Sequence, residues 1–297
     1  MGYARWSPDD WDAYTDRLGG KSRDEIFVNH SIHPAVDPKR IKVRESCDSD
    51  RNPLSTPIIV AVDDTGSMGM LAEVLIRKGL GVLLEGIYDR KPVTDPHVMC
   101  MAVGDAWYDS APLQVTQFEA DIRLAEQLRN FYIEGGGGGN AHESYHLPWY
   151  FAATRTKCDA ILKRNKKGYL FTVGDEPPPP VLTAQHAMKI FGDSLQRDLP
   201  SEVILGIASQ NWEIFHIIVQ EGNYCRRSEG FADTQQKWQK LLGQRALLMP
   251  DHRNLAELIV ATIELSEGRD VSRTLSGAWD QGAKLLQADL DNPFWGV

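Results

Sequence analysis

Short apolar runs recur along this chain, and each stops at glycines, prolines or carboxylates. Residues 58–62 read Ile-Ile-Val-Ala-Val, without one polar side chain. A run this short and this rich in β-branched residues predicts a strand buried on both faces, as parallel sheets require. Residues 98–103, 168–173, 213–219 and 245–249 are read as further strands, and 113–118 as a short edge strand. Between them the apolar positions shift to helical spacing. A helix is predicted over 70–88, its buried face drawn from Leu71, Val74, Leu75, Val82, Leu83 and Ile87. Gly79, Gly81 and Gly86 each cost that helix about 1 kcal/mol relative to alanine, so close approach of its backbone to the sheet is their expected use. Further helices are expected over 121–131, 149–156, 184–191 with Thr183 as cap, a stretch ending near 210, 232–242 and 255–265. Strands and helices alternating over 55–266 predict a doubly wound α/β fold: a mostly parallel, six-stranded sheet with helices on both faces.

The ends depart from this rhythm. Residues 1–56 carry scattered prolines, many charges and only short helical patches. Trp6, Trp11, Ile26, Phe27, Ile41 and Val43 supply apolar surface, so this segment is expected to wrap the core, with 41–44 as an edge strand. The organisation expected is thus an N-terminal extension over 1–56, a domain over 57–266 and a helical tail over 267–297.

Composition narrows the classes. At 297 residues the chain can bury a full core, and its formal charge of −9 argues against a duplex nucleic-acid surface. No apolar run approaches the ~20 residues that cross a bilayer, and the first residues lack a secretion signal. Cys47, Cys100, Cys158 and Cys225 are far apart and form no C-x-x-C pair, as expected of buried thiols in a reducing compartment. A cytoplasmic location is the expectation.

The chemistry concentrates after the first strand, in Asp63-Asp64-Thr65-Gly66-Ser67-Met68-Gly69. Asp63, Thr65 and Ser67 alternate, so in a locally extended chain they project to one side. One carboxylate and two hydroxyls make an oxygen-only half-shell suited to Mg²⁺ or Mn²⁺. It stands at the C-terminal end of a parallel strand, where open α/β sheets bind ligands. Asp63-x-Thr65-x-Ser67 resembles the metal-ion-dependent adhesion site (MIDAS) of von Willebrand factor A (vWA) domains, in the style of their intracellular bacterial and phage-type members. The resemblance implies a Rossmann-like vWA fold and two further loops at the metal. One follows the five glycines 135–139, and there Asn140, with Glu143 or Ser144 behind it, stands where the family usually offers threonine. The other follows the strand 168–173, where Asp175 is the matching position and four prolines, 177–180, stiffen the chain behind it. Asp105 and Asp109, at the end of the strand 98–103, are candidates for supporting acceptors.

The resemblance also implies a protein-binding module rather than an enzyme. Its cation would take a carboxylate from a partner's Asp or Glu, and relatives of this kind work beside AAA+ ATPases or in stress and phage-defence assemblies. Rival chemistries fare worse. His142-Glu143-Ser144-Tyr145-His146 matches the H-E-x-x-H of zinc metallopeptidases, and is the alternative function. That motif needs both histidines on one continuous helix, and Pro148 is tolerated only in a first turn, which starts the helix near 144–147 and leaves His142 outside. An Asp-x-Asp phosphotransferase pattern, a phosphate-binding loop ending in Gly-Lys-Ser/Thr and a Gly-x-Ser-x-Gly elbow are all absent around residue 63.

Overall fold

Every side chain of β2 (Thr56–Asp63) is buried, as in a central strand covered on both faces. A computed structural model describes residues 5–64, 79–134 and 143–269. Its main sheet has six strands: β10 (Ala246–Met249), β9 (Trp212–Val219), β6 (Gly168–Gly174), β2, β3 (Pro96–Val103) and β4 (Leu113–Val115), in that spatial order. All neighbours pair in parallel except β4, the antiparallel edge. Because alternate side chains of a strand face opposite ways, Ile58, Val60 and Val62 enter one core cluster while Ile59 and Ala61 enter the other. Each such buried Ile or Val side chain contributes about 1.5–3 kcal/mol.

The first cluster is covered by α1 (Pro8–Leu18), α2 (Arg23–Ile26), α3 (Leu80–Arg90), α4 (Arg123–Leu128) and α10 (Leu255–Ser266). The second is covered by α5 (His146–Arg155), α7 (Ala184–Phe191), α8 (Ser201–Ala208) and α9 (Ser228–Leu242). Helices on both faces of a mostly parallel sheet are the doubly wound α/β fold expected of the sequence. Spatial order reverses at β2, whose neighbours β3 and β6 leave it on opposite sides. The gap between β2 and β6 is therefore the topological switch point, where folds of this class bind ligands.

Several local expectations are corrected. The helix expected over 70–88 is α3, and its first part, with Leu71, Val74 and Leu75, lies outside the described residues. Val82 is 55% exposed, because the stripe of Leu80, Leu83, Leu84 and Ile87 takes the core-facing side. The helix glycines approach other helices rather than the sheet: a Cβ on Gly81 would stand 2.3 Å from the Trp11 indole, and one on Gly86 3.3 Å from Val260. The expected edge strand at 41–44 is displaced: β1 (Arg44–Ser46) pairs in parallel with β5 (Thr156–Cys158), outside the main sheet. Val43 is exposed, while Trp6, Trp11, Ile26, Phe27 and Ile41 are buried. The N-terminal segment also holds a real helix, α1, capped by the Ser7 side chain with Pro8 opening it. Cys100, Cys158 and Cys225 are buried free thiols, and Cys47 is only half-buried.

The remaining described elements are α6 (Asp159–Arg164) and a small antiparallel pair, β7 (Val181–Leu182) with β8 (Leu199–Pro200). Among the described residues no helix is long and apolar enough to cross a membrane. Residues 270–297, with most of the expected C-terminal tail, lie outside the described residues.

Candidate metal centre

Parallel strands deliver their C-terminal residues to one rim, and here that rim is acidic. Asp63 ends β2 and is fully buried; Asp64 follows it, also buried, its N–H donating to the Val103 carbonyl at 3.0 Å. Asp105 and Asp109 come from the loop after β3, and Asp175 and Glu176 from the loop after β6. Glu143 arrives just before α5. All but Glu176, which is half-buried, are withdrawn from water.

Burial and mutual repulsion dominate the electrostatics. Asp64 is pushed well above the ordinary carboxylate range by burial, with Asp63 and Asp109 adding to the rise. Burial and then Asp63 push Glu143 far above the ordinary carboxylate range, and the same causes, in the same order, push Glu176 up to about 8. Carboxylates crowded away from water are costly unless they bind protons or a cation.

The loops around these groups are tied to one another. The Asp105 N–H donates to Asp109 Oδ2 at 2.6 Å, and the Trp107 N–H donates to Asp105 Oδ1 at 3.1 Å. Ser144 Oγ accepts the Ala106 N–H at 2.9 Å, joining the loop after β3 to the start of α5. Gly104 leaves room for this arrangement, since a Cβ there would sit 2.5 Å from Asp109 Oδ2.

Tyr145 is the contact that sequence reasoning missed. Its phenol donates to Asp63 Oδ2 at 3.1 Å from a site with no solvent exposure. The ring is held edge-on against His216, at 4.9 Å between centroids, and Trp238, at 5.6 Å. His216 stacks on Trp238 at 3.5 Å and meets Thr172 Oγ1 through Nδ1 at 2.9 Å. A Cβ on Gly174 would lie 1.9 Å from the Tyr145 oxygen, so only glycine fits there. No spacing rule connects 63, 145 and 174; the fold alone brings them together.

Among the expected ligands, Asp63 and Asp175 emerge from adjacent strand ends at the switch point, since β2 pairs with β6 as far as Val62 and Val173. Thr65, Ser67 and Asn140 lie outside the described residues. Asp175 turns toward the loop after β9: its Oδ2 accepts the Tyr224 N–H at 2.7 Å, and a Cβ on Gly222 would fall 2.2 Å from its carboxyl carbon. Burial raises its pKa, and hydrogen bonds from Tyr224 and Cys225 lower it in part. Glu176, not among the expected ligands, carries a buried Oε2 without a hydrogen-bond partner among the described residues. Its signal in the sequence was adjacency to Asp175.

This donor set fits a hard divalent cation, being oxygen-only, anionic and equipped with an orphaned buried carboxylate oxygen. The alternative zinc motif is not assembled on one helix. α5 begins at His146 with Pro148 in its first turn, so Glu143 precedes the helix, and His142 lies outside the described residues. Elsewhere among the described residues, Glu221, Asp251 and His252 offer ligand atoms within 4.8 Å of one another. There, however, Arg253 grips the Asp251 carboxylate and Glu221 accepts from His252.

No family model matches the chain, and no curated protein matches it. Solved structures do resemble it. The pilus adhesin SpaC from Lactobacillus rhamnosus GG, in its open conformation, is 11% identical with a TM-score of 0.45, over 74% of this chain and 31% of that one. A von Willebrand factor type A protein from Catenulispora acidiphila is 12% identical with a TM-score of 0.40, over 73% of this chain and 43% of that one. Proximal thread matrix protein 1 from the mussel byssus, with a zinc-occupied MIDAS motif, is 9% identical with a TM-score of 0.39, over 74% of this chain and 49% of that one. This chain thus spans between 31% and 49% of the length of these structures. The structures it is similar to include a von Willebrand factor type A protein and one whose MIDAS motif holds zinc.

Proposed function

We propose that the chain is a vWA-type protein-binding module whose switch-point carboxylates hold Mg²⁺ or Mn²⁺. The observation that carries this reading is the convergence of acidic strand ends from β2 and β6 at the point where strand order reverses. Asp63 would hold the cation together with Thr65, Ser67 and the acidic loop after β6, and Asn140 would approach from the glycine-rich loop. When bound, the cation supplies positive charge able to accept an outside carboxylate. The chain's own residues do the rest: they anchor the described loops and bury the carboxylates of Asp63, Asp64, Asp105 and Asp175.

Binding rather than catalysis is favoured by that rim. Trp107 and Tyr108 are 57% and 61% exposed on the loop after β3, and large aromatics are enriched where proteins meet. The loop is stiff: Lys189 donates to the Ala106 carbonyl at 3.3 Å, and Trp107 packs edge-on against His186 at 4.4 Å. A partner segment offering Asp or Glu to the cation would meet these aromatics first. Free cysteines, most of them buried, favour a reducing compartment such as the cytoplasm, and an AAA+ ATPase or a stress or defence assembly is the kind of partner we propose there. The test is calorimetric titration with Mg²⁺ and Mn²⁺. Wild type is expected to bind and Asp63→Ala to lose at least tenfold in affinity with its circular dichroism unchanged. Equal affinity in the two proteins would contradict the proposal.

A further inference from the structure

We infer that Glu176, and not Asp175, is the carboxylate that the loop after β6 contributes to the cation; this rests on the metal reading above. Two adjacent acids leave the same strand end, and their surroundings divide the labour between them.

Asp175 is committed to the protein. Its Oδ2 accepts the Tyr224 N–H at 2.7 Å. Its main-chain carbonyl accepts from Cys225 Sγ at 3.0 Å and from Thr234 Oγ1 at 3.2 Å. Its Cβ, carboxyl carbon and Oδ2 all lie 2.2–2.3 Å from where a Cβ on Gly222 would be, so the side chain is pressed against that turn. These contacts fasten the loop after β6 to the loop after β9 and to α9. They are what a locking residue makes, and they take up the side chain on the flank toward β9, away from β2.

Glu176 has the opposite profile. Its backbone is fixed, since its carbonyl accepts the Trp238 indole N–H at 3.0 Å. Its Oε2 is buried and has no hydrogen-bond partner among the described residues. A carboxylate oxygen that gives up water without a donor is destabilising, and a bound cation removes that cost. Among the charges acting on Glu176, the Asp63 carboxylate is the strongest, ahead even of its neighbour Asp175. Glu176 leaves the end of β6, which pairs with β2 as far as Val62 and Val173, so its backbone stands beside the end of β2 that carries Asp63. Glutamate also carries one more methylene than aspartate, which lets it reach across the gap while Asp175 stays at the wall.

The experiment is titration of the full chain with Mn²⁺ by calorimetry, paired with melting in EDTA, for wild type, Glu176→Gln, Glu176→Asp and Asp175→Asn. Glu176→Gln is expected to weaken Mn²⁺ binding about tenfold or more while melting in EDTA close to the wild-type temperature, because without the cation burial already favours the uncharged carboxyl, which the amide replaces. Glu176→Asp is expected to weaken binding as well, since the shorter side chain falls short. Asp175→Asn is expected to melt lower in EDTA yet bind Mn²⁺ within about threefold of wild type. Glu176→Gln binding Mn²⁺ as tightly as wild type would overturn the inference and leave the metal site standing. So would Asp175→Asn losing Mn²⁺ at an unchanged melting temperature. Wild type that binds no Mn²⁺ would overturn both the metal reading and this assignment.

Discussion

Single residues set the tolerance of the candidate centre. Gly174 and Gly222 are glycines because a Cβ would collide with Tyr145 and Asp175, at 1.9 Å and 2.2 Å. Overpacking of a tight core costs about 1–3 kcal/mol and sometimes more, so Gly174→Ala is expected to destabilise by at least that amount, measured by urea denaturation in EDTA. Tyr145→Phe removes one hydroxyl from the same spot and leaves Asp63 without its phenol donor. Its expected effect is a loss of several-fold to tenfold in Mn²⁺ affinity with a nearly unchanged far-ultraviolet spectrum; unchanged affinity would show that the phenol does not position Asp63. A separate residue-scale effect is remote from the centre. His97 is fully buried on β3, its Nδ1 3.0 Å from Ser46 Oγ, and burial lowers its pKa to about 4. The unfolded chain takes up this proton first as pH falls, so stability is lost between the ordinary histidine value near 6.5 and about 4. By pH 5 the loss is about 2 kcal/mol. His97→Gln is expected to flatten the dependence of the urea midpoint between pH 7.5 and 5 by that amount, and an unaltered slope would exclude His97 as its source.

At the scale of elements, what the sequence revealed follows from how local the determinants are. The central parallel strands were legible because burial on both faces leaves largely apolar runs, as at 58–62. Pro148 correctly moved the start of α5 to His146, and Thr183 correctly capped α7. Helix α1 was legible in principle, since Ser7-Pro8-Asp9-Asp10 is a helix-start pattern, yet the prolines around it suggested irregularity. The buried stripe of α3 was misjudged at Val82 because helical phase depends on what lies above the helix, here Trp11 against Gly81. Asp63 was legible as a strand-end carboxylate. Tyr145 and the orientation of Glu176 were not, because both depend on contacts between segments distant in sequence. The Trp11 contact gives a further prediction: Trp11→Ala is expected to destabilise by about 3–5 kcal/mol, read from urea denaturation, and a negligible loss would mean that α1 only rests on the core. The loop after β3 behaves oppositely. Trp107→Ala, exposed and outside the core, is expected to leave stability within about 0.5 kcal/mol and to weaken binding of a partner.

For the whole molecule, the arrangement places a concentrated patch of buried carboxylate in a chain of formal charge −9, opposite to what draws nucleic acid and suited to drawing a cation. The doubly wound sheet supplies a rigid rim, and the reversal of strand order at β2 decides where on that rim ligating loops meet. Whether a cation sits there is measured most directly by diffraction from crystals grown with Mn²⁺, using the anomalous signal of the metal. The account predicts one strong peak between the ends of β2 and β6, within bonding distance of Asp63 and Glu176. Absence of any peak there, or a peak confined to Glu221, Asp251 and His252, would contradict it.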